Sequence, residues 1–322
     1  MSNLKQHLNS RRPNRPLSLF VVLVFLVAGF LAVSYLLTGS VSAQQATQHM
    51  NPAVAKLAAG QPMIGLQTED MSLQNCRHLS RVNFDYVYVD YEHGAMDLAQ
   101  LAYCAAAMGG DKEAAVKKGT PAPKVALMAR FPPFGRDQES NDWIIKQALD
   151  LGLMGIIFNG VDTKEQMIRI VREMRYPQMK TSKYQDPPGM RGYKPGDAAF
   201  TWGISSDEYE RRADVYPLNP DGELLAIPMI ETAEGLKNVN EIAAVPGVSA
   251  IFVGSGGDLH GYLGVPQNSP AVEEARQTIL MACKAHNVPC GISENRKSNV
   301  EKRLKEGWKM IRTVEAEGMS AE

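Results

Sequence analysis

The chain has 322 residues, 44% hydrophobic and 21% charged, a globular composition long enough to bury a full core. Its 34 basic and 35 acidic residues nearly cancel, and no basic run or basic-aromatic stripe follows residue 43. That excludes nucleic acid as a partner.

The first 43 residues read as a leader. Lys5, Arg11, Arg12 and Arg15 precede an uncharged apolar run of 21 residues from Leu17 to Leu37, and no acidic residue occurs before Glu69. A basic flank before such a run is the pattern of a signal or membrane anchor with its basic end inside. The run exceeds the usual signal core of about 7–15 residues and suits an anchor. Val41 and Ala43 in "SVSAQQ" have the spacing for cleavage after Ala43. Either outcome puts residues 44–322 outside the cytoplasm, with membrane association if the segment is retained. Without the leader, 30 basic and 35 acidic residues remain, a formal charge of −5.

From there short apolar runs alternate with amphipathic ones. The strand-like runs are "MIGLQ" (63–67), "YVYVDYEH" (86–93), "VALMAR" (125–130), "GIIFNGV" (155–161), "LLAIPMIE" (224–231), "SAIFVG" (249–254), "PCGIS" (289–293) and "KMIRTV" (309–314). Helix-like stretches such as "NDWIIKQALDLG" and "PAVEEARQTILMACKAH" separate most of them. Eight strands alternating with helices predict a (β/α)8 TIM barrel. An open doubly wound sheet is disfavoured because no GxGxxG follows an early strand. Residues 178–223, rich in Pro, Gly, Lys and Asp, are too long for a simple loop and read as an excursion over one end of the barrel, a candidate lid. The four cysteines show no CxxC spacing. Cys283 continues a helical stripe with Val272, Ala275, Ile279 and Ala282, and Cys104 follows Leu98 and Leu101, so core packing is the expected role for both.

In such a barrel the carboxyl ends of the strands converge on one pocket. Glu92 and His93 follow the second strand, Arg130 ends the third, Glu231 ends the fifth and Asp258 lies just beyond the sixth. Singly, each has a structural explanation: Arg130 in an ion pair, Glu231 beside a helix N-terminus, His93 in a hydrogen bond. Together they suit chemistry. Two carboxylates without thiolates or clustered imidazoles make a hard oxygen site for Mg²⁺ or Mn²⁺. Arg130 matches a substrate carboxylate by a two-pronged hydrogen bond. The turn Ser255, Gly256, Gly257 exposes backbone N–H groups to an anion. A metal and an arginine together hold a 2-oxo acid and stabilise its enolate.

The segments "VDYEHGAMD", "ALMARFP", "ALDLGLMGIIFNGVDTKEQ", "REMRYP", "GMRGY", "MIETAEGLKNVNEIAAVPGVSAIFVGSGGDLHGYLG" and "VPCGI", in this order from about Asn51 to Val314, resemble the HpcH/HpaI aldolase/citrate lyase family. Within it the pattern is that of the metal-dependent class II 2-oxo-acid aldolases. The resemblance implies a carbon–carbon lyase that cleaves or forms 4-hydroxy-2-oxo acids through a pyruvate enolate, with a small 2-oxo acid and an aldehyde as its substrates. It implies Glu231 and Asp258 as ligands of Mg²⁺, Mn²⁺ or Co²⁺, with the oxo acid chelating the ion. Arg130 then contacts the oxo acid, and His93 is the acid/base at the aldol hydroxyl. Asp150 in "ALDLG" matches the family's partner to that histidine, but it precedes the fourth strand and would need a neighbouring subunit to reach it. A homo-oligomer is therefore expected.

Some positions depart from that pattern. Met229 stands where the aldolases commonly have Gln, "GSGGDL" is one residue longer than the usual turn, and Asn159-Gly160 replaces a common Pro-Met pair. Only eight residues follow Val314, which leaves little of the usual C-terminal helices, so the hexameric assembly is not carried over. Alternatives stay open: an exported, non-catalytic, metal-dependent carboxylate binder, or a related lyase acting on another oxo acid or an acyl thioester. A Schiff-base aldolase is disfavoured because Lys124 and Lys309 sit at strand beginnings. Arg191 in "GMRGY" is either a second carboxylate contact or a structural arginine.

Overall fold

A computed structural model describes residues 48–109, 123–131, 137–254 and 256–314, so the leader lies outside the described residues. Eight parallel strands close on one another: β1 (Met63–Thr68), β2 (Tyr86–Asp90), β3 (Ala126–Phe131), β4 (Gly155–Phe158), β6 (Leu224–Ile230), β7 (Ile251–Val253), β8 (Cys290–Ser293) and β9 (Met310–Thr313). The order β4-β3-β2-β1-β9-β8-β7-β6, with β4 pairing to β6, makes the expected (β/α)8 barrel. Every residue of β2, β3 and β6 is buried, which is why these strands read as continuous apolar runs rather than alternating ones. The helices of the barrel wall include α2 (Leu73–Leu79), α3 (Leu98–Met108), α4 (Gln138–Asp150) and α5 (Lys164–Met174). Further round are α8 (Ala233–Ala243), α9 (Gly256–Leu263), α10 (Pro270–Ala285) and α11 (Lys297–Glu306).

A short helix, α1 (Pro52–Ala58), precedes β1. Asn51 caps it by accepting from the N–H groups of Ala53 and Val54, and its Nδ2 donates to the carbonyls of Met154 and Glu223 at 3.1 and 2.8 Å. One side chain thus starts the helix and fixes it to the amino ends of β4 and β6.

The excursion at 178–223 contains α6 (Gly196–Trp202), α7 (Ser206–Arg212) and β5 (Val215–Tyr216), a two-residue strand paired with Leu224 and Leu225 of β6 that the sequence reading did not include. It connects a helix to the strand that follows it, so it lies at the amino-terminal end of the barrel. Trp202 Nε1 donates to Gly152 O at 2.8 Å and Tyr209 Oη to Leu149 O at 3.1 Å, both in the approach to β4. The lid reading is therefore corrected: the segment seals the end opposite the strand carboxyl termini.

The core-packing expectation for the cysteines is corrected as well. Cys76 on α2 bonds Cys104 on α3, and Cys283 on α10 bonds Cys290 at the start of β8, with Cα separations of 5.3 and 5.8 Å. All four are buried, so the apolar stripes were real. What the stripes could not convey is that two neighbouring elements each turn a thiol into the same gap.

Candidate active site

Arg130 organises the carboxyl face. It is buried, and its Nε donates to Asp90 Oδ1 at 2.9 Å while Nη2 pairs with Asp90 Oδ2. The register places Asp90 directly beside Arg130, so the bidentate pair follows from strand pairing. Glu92 Oε2 lies 2.9 Å from Arg130 Nη1 but outside hydrogen-bonding direction, a charge contact rather than a directed bond. Burial alone would lower the guanidinium pKa; the Asp90 hydrogen bond, with the charges of Asp90 and Glu92 and neighbouring Tyr88, outweighs it, and the pKa is raised. Arg130 is a fixed cation throughout the accessible pH range.

His93 stands at the rim, 59% exposed, with Nε2 3.5 Å from the same Glu92 Oε2. Glu92 therefore bridges the two predicted catalytic groups on this face. Gln67 extends the network: its Nε2 donates to Asp90 Oδ2 at 2.6 Å, and its Oε1 accepts from Tyr88 Oη at 2.8 Å and Arg312 Nη2 at 2.7 Å. Asp90, Gln67 and Arg312 were absent from the sequence-based site. The signal available for Asp90 was the alternation Tyr86, Tyr88, Asp90, which turns all three to one side of β2.

Glu231 follows the last residue of β6 and is 3% exposed. Helix α8 is capped by Thr232, whose Oγ1 accepts from Gly235 N at 2.9 Å, so Glu231 is not the cap of that helix. Gly254, bonded to Ile230 O at 2.9 Å, packs so tightly against Glu231 that a Cβ there would sit 2.5 Å from the glutamate Cβ. A glycine at this point lets β7 pass alongside the carboxylate. Asp258, partly buried, lies in the first turn of α9 a few residues later. Arg130 Nη1 is 4.0 Å from Met229 Sδ, two residues before Glu231, which ties the Arg130 cluster to the end of β6. Ser255 lies outside the described residues, and Gly256 and Gly257 open α9.

Asp150 is elsewhere. It ends α4 at the amino-terminal face and pairs at 2.8 Å with Arg191, whose guanidinium also lies 4.4 Å from the Tyr176 ring centroid and 3.0 Å from Tyr209 Oη. The structure joins Arg130 and Met229 of β6 directly and His93 through Glu92, and does not bring Asp150 to them. Arg191 is the structural arginine of the two readings.

Glu231, just after β6, and Asp258, in the first turn of the helix that follows β7, are oxygen donors of the kind suited to a hard divalent cation that takes its remaining ligands from water and substrate. Among the described residues no cluster of three or more His, Cys, Asp or Glu forms a self-sufficient metal cage. The two-carboxylate set fits an ion shared with substrate.

A sequence profile described as HpcH/HpaI aldolase/citrate lyase matches residues 71–314. The chain is 31% identical over 244 residues to 5-keto-4-deoxy-D-glucarate aldolase of Salmonella paratyphi A, covering 75% of this chain and 81% of that one. Its fold is similar to an HpcH/HpaI aldolase/citrate lyase family protein from Burkholderia cenocepacia J2315, with a TM-score of 0.65, 25% identity, and coverage of 82% and 92%. It is also similar in fold to an HpcH/HpaI aldolase from Desulfitobacterium hafniense DCB-2, with a TM-score of 0.63, 22% identity, and coverage of 80% and 88%. With the barrel and the Arg130 cluster in place, the chain belongs to the HpcH/HpaI aldolase/citrate lyase family and is a carbon–carbon lyase.

Proposed function

We propose that this lyase is a divalent-metal-dependent aldolase acting on 4-hydroxy-2-oxo acids, with Glu231 and Asp258 as the protein's metal ligands. The observation that carries the reading is Arg130, a buried guanidinium fixed by Asp90 and Glu92 beside the end of β6, where Glu231 begins. A bound Mg²⁺, Mn²⁺ or Co²⁺ would supply Lewis-acid polarisation of the keto oxygen.

His93 is accessible from solvent and takes the proton from the C4 hydroxyl, directly or through one water. The C3–C4 bond then breaks, its electron pair enters the oxo-acid fragment as an enolate, and C4 leaves as the aldehyde carbon. Proton return to C3 gives the 2-oxo acid product; synthesis runs the same steps backwards. Arg130 orients the oxo acid and stabilises the enolate charge without reorganising, because Asp90 and Glu92 already hold it. A positioned acid/base such as His93 contributes roughly 10²–10⁴ in rate. Asp150, held by Arg191 at the amino-terminal face, would partner His93 only from a neighbouring subunit.

Deuterium exchange into the pyruvate methyl group, followed by NMR on the full-length protein with each metal and with chelator, tests this. Metal-dependent exchange that disappears in Glu231→Ala and Asp258→Ala is expected. Folded, metal-loaded protein that leaves the methyl protons in place would remove pyruvate as the nucleophile.

We also place the domain outside the cytoplasm. The basic flank and apolar run at 17–37 support this, as do two disulfides, which persist in oxidising compartments. External protease acting on intact spheroplasts should degrade the domain; full protection there would refute the placement.

A further inference from the structure

Asn159 follows the last residue of β4 and is fully buried, yet neither Oδ1 nor Nδ2 has a hydrogen-bond partner among the described residues. A buried polar group left unpaired costs about 1–3 kcal/mol, and folded proteins retain few of them. An amide with both halves unpaired needs an explanation.

Its position supplies one. Gly155 is in register with Met128, two residues before Arg130 on β3, so the Gly155 side of β4 is the side on which Arg130 meets Asp90. Strand alternation carries Ile157 and then Asn159 to that same side. Phe158 is in register with Pro228, so Asn159 stands level with Met229, the residue whose sulfur lies 4.0 Å from Arg130 Nη1. The amide therefore looks into the layer between Arg130 and Glu231. Neither neighbour in that layer, the Met229 thioether or the Arg130 guanidinium, hydrogen-bonds it.

We propose that Asn159 is a substrate-contacting residue that selects hydroxylated oxo acids. This rests on the aldolase reading of the same site. The two N–H groups of Nδ2 donate, one to an oxygen of the oxo-acid end and one to the C4 hydroxyl oxygen, which leaves the hydroxyl proton to His93. A 4-hydroxy-2-oxo acid takes both N–H groups, whereas an oxo acid without the hydroxyl takes one.

The probes are 4-hydroxy-2-oxobutanoate and 2-oxobutanoate, which differ only in that hydroxyl. Their Kd values are measured by calorimetry with Mg²⁺ on full-length protein carrying His93→Gln to suppress turnover, with and without Asn159→Leu. The hydroxy acid should bind about tenfold tighter when Asn159 is present, the effect of one well-made hydrogen bond. In Asn159→Leu the ratio should fall to within about twofold while Tm holds or rises, because the orphan amide is gone. Asn159→Ser serves the same comparison if the leucine variant fails to fold. A tenfold preference that survives either substitution overturns the proposal, as does failure of both probes to bind. Asn159-dependent discrimination in a protein that shows no methyl exchange would overturn the aldolase reading alone. Exchange without Asn159 dependence would overturn this inference alone.

Discussion

The two ends of the barrel treat buried charge differently. At the amino-terminal end it is enclosed by partners from the chain itself. Glu223, with no exposed surface, accepts from the N–H groups of Met50 and Asn51 at 2.8 and 3.0 Å and pairs with Arg212 at 2.9 Å. Arg175 grips Asp214 through Nε at 2.6 Å, and Arg191 pairs with Asp150. At the carboxyl end the pattern is looser: His93 is exposed at the rim, Glu92 meets Arg130 off-axis, and Asn159 is buried without a hydrogen-bond partner among the described residues. Atoms without such a partner occur at both ends, Arg191 Nε and Nη1 among them, but those of Glu92 and Asn159 lie on the face that carries Arg130 and His93, where a ligand can use them.

Reciprocal substitutions would break this comparison if it is wrong. Glu223→Ala leaves two backbone donors and Arg212 without their acceptor, a loss of about 3–5 kcal/mol for a broken buried ion pair. At roughly 2–4 °C per kcal/mol for a domain of this size, Tm should fall by roughly 6–20 °C. Methyl exchange per folded molecule at 25 °C should stay at the wild-type rate. Glu231→Ala should do the reverse, abolishing exchange with Tm little changed. Calorimetry and NMR on the same preparations decide it. A Glu223 variant that loses exchange while keeping its Tm would erase the distinction between the ends.

Much of this division was legible in the sequence, because a strand buried on both faces must be an apolar run and the ionisable residue ending it must reach the mouth. Arg130 and Glu231 were found that way. Asp90 was not, although the alternation from Tyr86 carries it to the Arg130 side. Strand β5 gave no signal, since Val215 and Tyr216 are too short a run to show a period. The side taken by the long excursion was available from chain order alone, because a helix-to-strand connection returns to the amino end. The disulfides and Asn159 were not available. Which stripe meets which, and whether a buried amide finds a partner, are facts of tertiary packing that spacing does not carry.

The barrel wall offers the smallest and most selective test, because Arg303 joins carboxylates from several elements there: Glu273 on α10 at 2.6 Å, Glu294 after β8 at 2.9 Å, and Glu306 at 3.1 Å. The Arg303 hydrogen bonds, working against burial, lower the Glu273 pKa from 4.5 to about 2. A carboxylate whose folded pKa is depressed adds stability above its unfolded pKa and loses it as pH falls towards the folded one. The stability gap between wild type and Glu273→Gln should therefore be full at neutral pH and shrink below about pH 4.5. Glu273 is partly exposed, so solvent screening limits the gap to about 1 kcal/mol. Urea unfolding from pH 7 down to the acid limit of the fold measures it, and methyl exchange at pH 7 should not change. A gap that stays constant with pH would mean the wall pair is packing rather than charge. The contrast between the two ends would then need to be drawn from hydrogen bonds alone.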